Sequence, residues 1–132
     1  MREPVWIEHS TVLLLHRRQL AEHGGGEGVR DEGMLESALH RPRNKWAYEG
    51  ADIVDLAAAY AFGIARNHPF VDGNKRTAWV VCRVFLDVNG LAFSASDEDK
   101  YTAMLALAAG DLSEEDFANW LRKSCKPRAS GS

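Results

Sequence analysis

The sequence has no surplus of positive charge and no long apolar run. Its formal net charge is -3 at pH 7, so the composition argues against a protein that binds nucleic acid directly through a broad basic face. No apolar stretch approaches the ~20 residues that a membrane span requires. Residues 1–6 lack the apolar core of a signal peptide. We therefore expect no membrane segment and no nucleic-acid partner.

Cysteine is also scarce, with two residues far apart in the chain. Cys82 lies in an apolar run and is expected to be a small buried hydrophobe. Cys125 lies in a polar stretch and is expected to be a free thiol. The absence of a disulfide framework is typical of the reducing cytoplasm, where we expect this protein to act.

The remaining composition is that of an ordinary globular domain. Hydrophobic residues make up 45% and charged residues 27% of the 132 residues, which suffices for a buried core. We predict one domain over residues 1–125. The polar, Pro- and Gly-containing segment 126–132 is predicted to be a flexible tail.

The hydrophobic pattern predicts an all-α fold of about six helices. Ser10 is expected to cap a first helix that ends near His23. The glycine-rich segment 24–28 could cradle a phosphate, but no strand precedes it, so we interpret it as a flexible connector.

A second helix is predicted to open at Asp31 and to end at Pro42. Trp46 and Tyr48 alternate in the segment 43–50, which we interpret as a short extended flap. On a flap these two aromatics could help to dock a target segment, although a place in the core is the commoner role.

Two central helices are predicted over residues 52–66 and 73–89, because both are apolar on almost all sides and must therefore be buried. The β-branched content of the second allows a strand, but its length favours a helix. Two further helices are expected over 97–109 and 113–123, the last opening with a capping box. Residues 91–93 form a short extended link.

The loop that joins the central helices concentrates reactive side chains. The imidazole of His68 can accept a proton and so can act as a general base. Asp72 can either cap the following helix or hold a magnesium ion. The backbone N–H groups from Gly73 onward, with Lys75 and Arg76 beside them, form an anion site at a helix N-terminus. The set is typical of phosphoryl or nucleotidyl transfer, whereas the alternative is an ordinary cap with a solvated first turn.

Here the sequence resembles a known family. His68-Pro-Phe-Val-Asp72-Gly-Asn-Lys-Arg76 is similar to the Fic signature His-Pro-Phe-x-Asp/Glu-Gly-Asn-Gly-Arg. Lys75 replaces the last glycine of that signature, which marks the Doc (death-on-curing) branch, and Thr77 and Ala78 continue the match. Residues 30–39 also resemble Doc relatives.

The resemblance implies a Fic fold and a toxin of a toxin–antitoxin system. Doc proteins transfer phosphate from ATP to a threonine of elongation factor Tu and so inhibit translation, whereas most Fic proteins transfer AMP to a hydroxyl. In this family, Lys75 at the anion site implies that the nucleotide binds in the reverse direction to that in Fic proteins, with its γ-phosphate facing the hydroxyl, and hence that phosphate is transferred. Adenylyl transfer is the first alternative, and a non-catalytic binding protein that keeps the fold is the second.

The resemblance also implies the role of each site residue. His68 would be the base, and Asp72 would serve Mg²⁺ or orient the hydroxyl. Phosphate contacts would come from the first turn of the second central helix, namely Gly73, Asn74, Lys75 and Arg76. Phe70 would pack inward and brace the loop.

Three departures from relatives are visible. Val80 stands where the prototype Doc has Asn, and Gly73 stands where it has Ala. The segment 94–99 fails the self-inhibitory Fic motif Ser/Thr-x-x-x-Glu-Gly/Asn at its last position. Inhibition is therefore expected from a separate Phd-like antitoxin, whose C-terminal segment would bind as a helix in a groove.

Three histidines, His9, His16 and His23, recur every seven residues on the first predicted helix. Seven residues span roughly 10 Å along a helix, which is too far for two of them to bind one metal ion. We therefore expect surface histidines rather than a metal site.

Overall fold

The computed structural model describes residues 2–128, which form six α-helices and one pair of short strands. The helices are α1 (His9–His23), α2 (Glu32–Glu49), α3 (Ile53–Asn67), α4 (Asn74–Val88), α5 (Asp97–Ala109) and α6 (Glu114–Ser124). The strands are β1 (Leu91–Phe93) and β2 (Cys125–Pro127). The predicted all-α class with about six helices is confirmed. No helix within residues 2–128 is both long enough and apolar enough to cross a membrane.

α3 lies at the centre and packs against α2, α4, α5 and α6. Ten of its fifteen residues are buried, which confirms the prediction of a helix that is apolar on all sides. Gly63 permits a close crossing with α2, because a Cβ at this position would lie 3.1 Å from the Cα of Ala38. Tyr60 ties the N-terminal segment to this core, since its hydroxyl accepts the Ile7 N–H at 3.0 Å.

α4 is the second central helix, and its buried face packs mainly against α3. Seven of its fifteen residues are buried, whereas Lys75, Arg76 and Arg83 are exposed. The predicted pair of central helices is confirmed, with α4 keeping one solvent-facing side.

The predicted start is confirmed at three helices, where the first residue also acts as a cap. Asp31, Asp52 and Ser113 each accept a backbone N–H three residues further on, at 2.9–3.0 Å. The prediction for α1 was wrong, since the helix begins at His9 and Ser10 lies in its first turn. The side chain of the N-cap residue, Glu8, makes no capping bond. The segment just before this helix is tied to the core by hydrogen bonds from Ile7 to Tyr60 and between Val5 and Asn89.

α2 continues through Pro42 to Glu49, so the predicted stop at this proline and the extended flap over 43–50 were both wrong. Proline removes one helical hydrogen bond, but here the proline is buried. Arg41 and Lys45, on either side of it, both pair with Glu114 of α6. These contacts hold both halves of the helix against the same neighbour.

The two aromatics of the predicted flap have different environments on α2. Trp46 packs edge-on against Trp6, with ring centroids 6.1 Å apart, and contributes to the core. Tyr48 is 86% exposed. Helical spacing therefore separates two side chains that an extended strand would have placed on one face.

β1 and β2 pair antiparallel, with Phe93 opposite Cys125 and Leu91 opposite Pro127. The link predicted over 91–93 is thus a strand. The flexible tail predicted for 126–132 was wrong at Lys126 and Pro127, because both pair with β1. Residues 129–132 lie outside the described part of the chain. Both cysteines are free, and Cys82 is fully buried.

Candidate functional site

The loop over residues 68–73, between α3 and α4, begins with a residue in an unusual backbone conformation. His68 has φ 48° and ψ 54°, and it is the one non-glycine residue with positive φ among residues 2–128. A non-glycine residue persists there only when its surroundings hold it. Arg30 provides that hold, because its guanidinium donates to the carbonyls of His68 at 2.8 Å and Asn67 at 3.0 Å.

Asn74 closes the loop from the inside. Its side-chain oxygen accepts the N–H of Phe70 at 2.9 Å, and its side-chain nitrogen donates to the carbonyl of Phe70 at 3.0 Å. Asn74 is 8% exposed and Phe70 is 1% exposed. Asn74 was predicted to bind phosphate, but its side-chain amide is used within the loop, where it positions the backbone of Phe70.

Asp72 does not cap α4, so this sequence-derived alternative was wrong. Gly73 occupies the N-cap position, and no side chain caps the helix. The Asp72 carboxylate instead accepts the N–H of Gly73 at 2.9 Å and that of Gly26 at 3.3 Å. Gly25 lies so close that a Cβ there would be 2.8 Å from Oδ2 of Asp72.

The glycine-rich segment 24–28 thus packs on the loop, and its interpretation as a flexible connector was wrong. Gly28 accepts the N–H of Val71 at 3.1 Å, and Val29 forms an isolated antiparallel bridge with Phe70. Small residues suit this segment, because the backbone approaches the carboxylate of Asp72 closely. The segment 24–28 therefore contacts and orients the carboxylate of Asp72.

His16 lies behind the loop and is 3% exposed, so the expectation that it is a surface histidine was wrong. Its Nε2 lies 2.8 Å from the backbone carbonyl oxygen of Asp72. A carbonyl only accepts, so this nitrogen carries a hydrogen and donates it. The ring stacks on Phe70 with centroids 3.8 Å apart and 10° between the planes.

The first turn of α4 forms the cationic side of the site. The N–H groups of such a turn have no partners within the helix, and here no side chain caps them. Lys75 and Arg76 are exposed beside these N–H groups. Positive side chains are unfavourable here, because the helix dipole favours negative charge at a helix N-terminus. This combination of donors and cations is suited to binding an anion.

These groups open on a cavity of about 490 Å³. It brings together six of the seven predicted site residues, namely His68, Asp72, Gly73, Asn74, Lys75 and Arg76. The seventh, Phe70, lies buried behind the loop. α5 contributes a largely apolar part of the lining, with Tyr101, Met104 and Leu105, and its Lys100 adds a third cation. The cavity can thus accept a ligand that has both anionic and apolar parts.

Sequence reasoning missed His16, Arg30 and the role of the glycine segment. A signal for His16 was present, because it lies four residues after Val12 and therefore on the same face of α1. Val12 is fully buried. Arg30 gave no such signal, since its partners are backbone carbonyls 37 and 38 residues away.

Residues 2–128 contain no cluster of three or more His, Cys, Asp or Glu side chains that could hold a metal ion by themselves. His9 pairs with Glu32 at 2.7 Å, and His23 lies 3.7 Å from Glu22. The three histidines of α1 therefore lie in separate environments, two at the surface beside a glutamate and one buried behind the loop.

Comparison with known proteins gives a consistent result. Residues 6–86 match the Fic/DOC family. The chain is 32% identical over 118 residues to "Protein kinase doc" of Escherichia phage P1, covering 89% of this chain and 93% of the relative. It is 45% identical over 76 residues to "Toxin Doc" of Mycolicibacterium smegmatis, covering 54% of this chain and 57% of that relative.

The family match spans both central helices and the loop between them. One of the two relatives is matched over nearly its whole length. The chain therefore belongs to the Fic/DOC family.

Proposed function

We propose that this chain is a Doc-type toxin of a toxin–antitoxin system, and that it acts as a protein kinase. It would transfer the γ-phosphate of ATP to a threonine hydroxyl of a translation factor, with elongation factor Tu as the expected target. The class of phosphotransferase toxin is supported by both relatives, one named as a toxin and the other as a protein kinase. The target and the nucleotide are our inferences.

One observation carries the proposal. His68 and the uncapped, cationic N-terminus of α4 line the same cavity. A base and an anion site that face one space are what phosphoryl transfer to a hydroxyl requires, because catalysis there is mainly positioning and charge stabilisation.

The residues suggest a simple sequence of events. Lys75, Arg76 and the first-turn N–H groups of α4 hold the triphosphate. The target hydroxyl lies between His68 and the γ-phosphorus, and Asp72 helps to orient it. The hydroxyl oxygen bonds to phosphorus as the bond to the β,γ-bridging oxygen breaks; His68 takes the hydroxyl proton, and ADP leaves.

Mg²⁺ fits this site only as a companion of the nucleotide. Asp72 is the acidic residue that lines the cavity, and each of its oxygens accepts a single backbone N–H and so keeps a lone pair. Mg²⁺ commonly binds through one or two carboxylates plus substrate phosphates. When bound, it would neutralise part of the phosphate charge, with Asp72 as its protein ligand.

Lys75 supports phosphate rather than AMP transfer. It is exposed at the cavity, where a glycine of the Fic signature would leave space and no charge. The resemblance to the Doc branch implies that a lysine at this place accompanies a reversed nucleotide, which presents its terminal phosphate to the hydroxyl.

A toxin of this class implies a cognate antitoxin, which we propose to be Phd-like and to bind through a C-terminal helix. The mouth of the cavity exposes apolar side chains close to its cations, including Val71 at 56% and Tyr101 at 66%. An amphipathic helix with acidic residues would complement such a surface. We place the activity in the cytoplasm, where free thiols such as those of both cysteines persist.

The proposal is tested by incubating the protein with a cell lysate, and separately with purified elongation factor Tu, using α- and γ-labelled ATP in parallel. We expect the γ label to appear on a threonine of the target. His68→Ala should abolish labelling, whereas His40→Ala, an exposed histidine of α2, should leave it unchanged.

The outcomes separate the candidates. Transfer of the α label would mean that the protein is an adenylyltransferase and that the inference from Lys75 is wrong. Growth arrest that survives His68→Ala and Arg76→Ala, with no label transferred, would instead indicate a non-catalytic binding protein.

A further inference from the structure

We propose that His16 is a positioning residue, which holds the peptide between Asp72 and Gly73 in the one orientation that keeps the anion site open. The inference rests on the proposed function for its effect on the reaction. The structural part stands independently of it. It starts from a buried histidine that the proposed chemistry does not use.

The first step is the geometry of that peptide. In a trans peptide the C=O and N–H point in opposite directions, and residues 2–128 contain no cis peptide bond. The Asp72 carbonyl points toward α1, where His16 donates to it at 2.8 Å. The Gly73 N–H therefore points away from α1, and the Asp72 carboxylate accepts it at 2.9 Å.

The second step is that little else fixes this orientation. A peptide flip would change ψ of Asp72 and φ of Gly73, and glycine adopts both signs of φ readily. Gly73 has φ 76°. Even a Cβ there would make only ordinary van der Waals contacts, at 3.5 Å from Leu20 and 3.8 Å from His16, so this glycine is not wedged by its neighbours. The hydrogen bond from His16 selects between the two orientations.

The third step is the consequence of a flip. The Asp72 carbonyl oxygen would then lie on the side of its own carboxylate and of the α4 N-terminus. Its partial negative charge would oppose bound phosphate, and the Asp72 carboxylate would lose one of its two backbone donors, the Gly73 N–H. We expect kcat to fall by about 10²-fold, the size of effect that removal of a single stabilising donor has at an anion hole.

His16 is itself well held for this role. It is 3% exposed and its ring lies flat against that of Phe70, whose backbone is held by the Asn74 side chain. The donor nitrogen thus has little rotational freedom. α1 contributes to the site through one hydrogen bond, even though its side chains stay outside the cavity lining.

Two substitutions separate the donor from the ring. His16→Phe keeps an aromatic ring against Phe70 and removes the donor. His16→Gln removes the ring and keeps an N–H at a similar reach. We expect His16→Phe to unfold at nearly the wild-type temperature yet to lose about 10²-fold in kcat/KM for phosphate transfer. His16→Gln should be the less stable protein but should stay within about tenfold of wild-type activity.

The control is His23→Phe, at an exposed position on the same helix, which should change neither property. A purely structural role of His16 would give the opposite order, with activity following thermal stability, and that result would overturn the proposal. If His16→Phe fails to fold, His16→Leu replaces it, since Leu is smaller and also lacks a donor.

A second measurement does not depend on activity. Hydrogen exchange of the Gly73 amide, followed by NMR, should be about tenfold faster in His16→Phe than in wild type or His16→Gln, because its acceptor is no longer held. Equal exchange in all three proteins would refute the positioning role. If wild type transfers no label, the proposed function fails, while the exchange measurement still decides the role of His16.

Discussion

Asn74→Ala is the perturbation that tests most directly how the loop is built. Both backbone groups of Phe70 pair with the Asn74 side chain, at 2.9 and 3.0 Å. Both residues are buried, so water cannot easily replace the lost amide. The substitution leaves a buried N–H and a buried carbonyl without their partner.

The expected size follows from those two groups. A buried donor or acceptor left unsatisfied costs about 1–3 kcal/mol. Because the two groups are adjacent and partial relaxation is shared between them, we expect a loss of about 2–4 kcal/mol in the free energy of unfolding. For a chain of this size that corresponds to a decrease of roughly 6–14 °C in Tm.

The assay is urea unfolding at pH 7, followed by circular dichroism and by tryptophan fluorescence to check that both probes report one transition. Asn44→Ala is the matched control, because Asn44 is an exposed asparagine within α2. Its loss should change stability by less than about 0.5 kcal/mol. If Asn74→Ala were as stable as this control, the amide would not close the loop, and our description of Asn74 as a positioning residue would be wrong.

Three further predictions concern other parts of the structure. Gly25→Ala should lower activity more than Gly24→Ala, since both glycines have positive φ but only the first would place a Cβ against the Asp72 carboxylate; equal kcat/KM values would contradict this. Arg30→Ala removes the guanidinium that donates to two carbonyls at the end of α3 and should lower kcat about tenfold or more. Arg30→Lys should recover little activity, because a single ammonium group cannot reproduce the two-pronged geometry of the guanidinium. Burial raises the pKa of both thiols, and far more for Cys82 than for Cys125. A thiol reagent at pH 8 should therefore label only Cys125 in the native protein and both cysteines in denaturant. Fast labelling of both cysteines in folded protein would contradict the burial of Cys82.

Much of the fold could be predicted, because the signals are local. Asp31, Asp52 and Ser113 cap helices as their positions in the sequence indicate. The apolar run of α3 required burial, and the structure buries it. The residues of the site were also identifiable, since six of them are nearly contiguous and face one cavity.

The features that could not be predicted depend on distant contacts. Pro42 is a helix breaker by propensity, yet α2 passes through it with the proline buried, and Arg41 and Lys45 on either side reach a glutamate on α6. Asp72 is a natural cap, but the glycine segment from before α2 binds its carboxylate instead. Each of these features involves a partner at least 46 residues away, which local patterns do not contain.

The pairing of β1 with β2 has a practical consequence for how the chain is handled. Ending the polypeptide at the predicted domain boundary, residue 125, would remove Lys126 and Pro127 from opposite Ala92 and Leu91. The hydrogen-bonding edge of β1 would then be open, and an unpaired edge can recruit a strand from another molecule. A shortened protein that self-associates would therefore report a missing strand partner rather than a fault in the helical core.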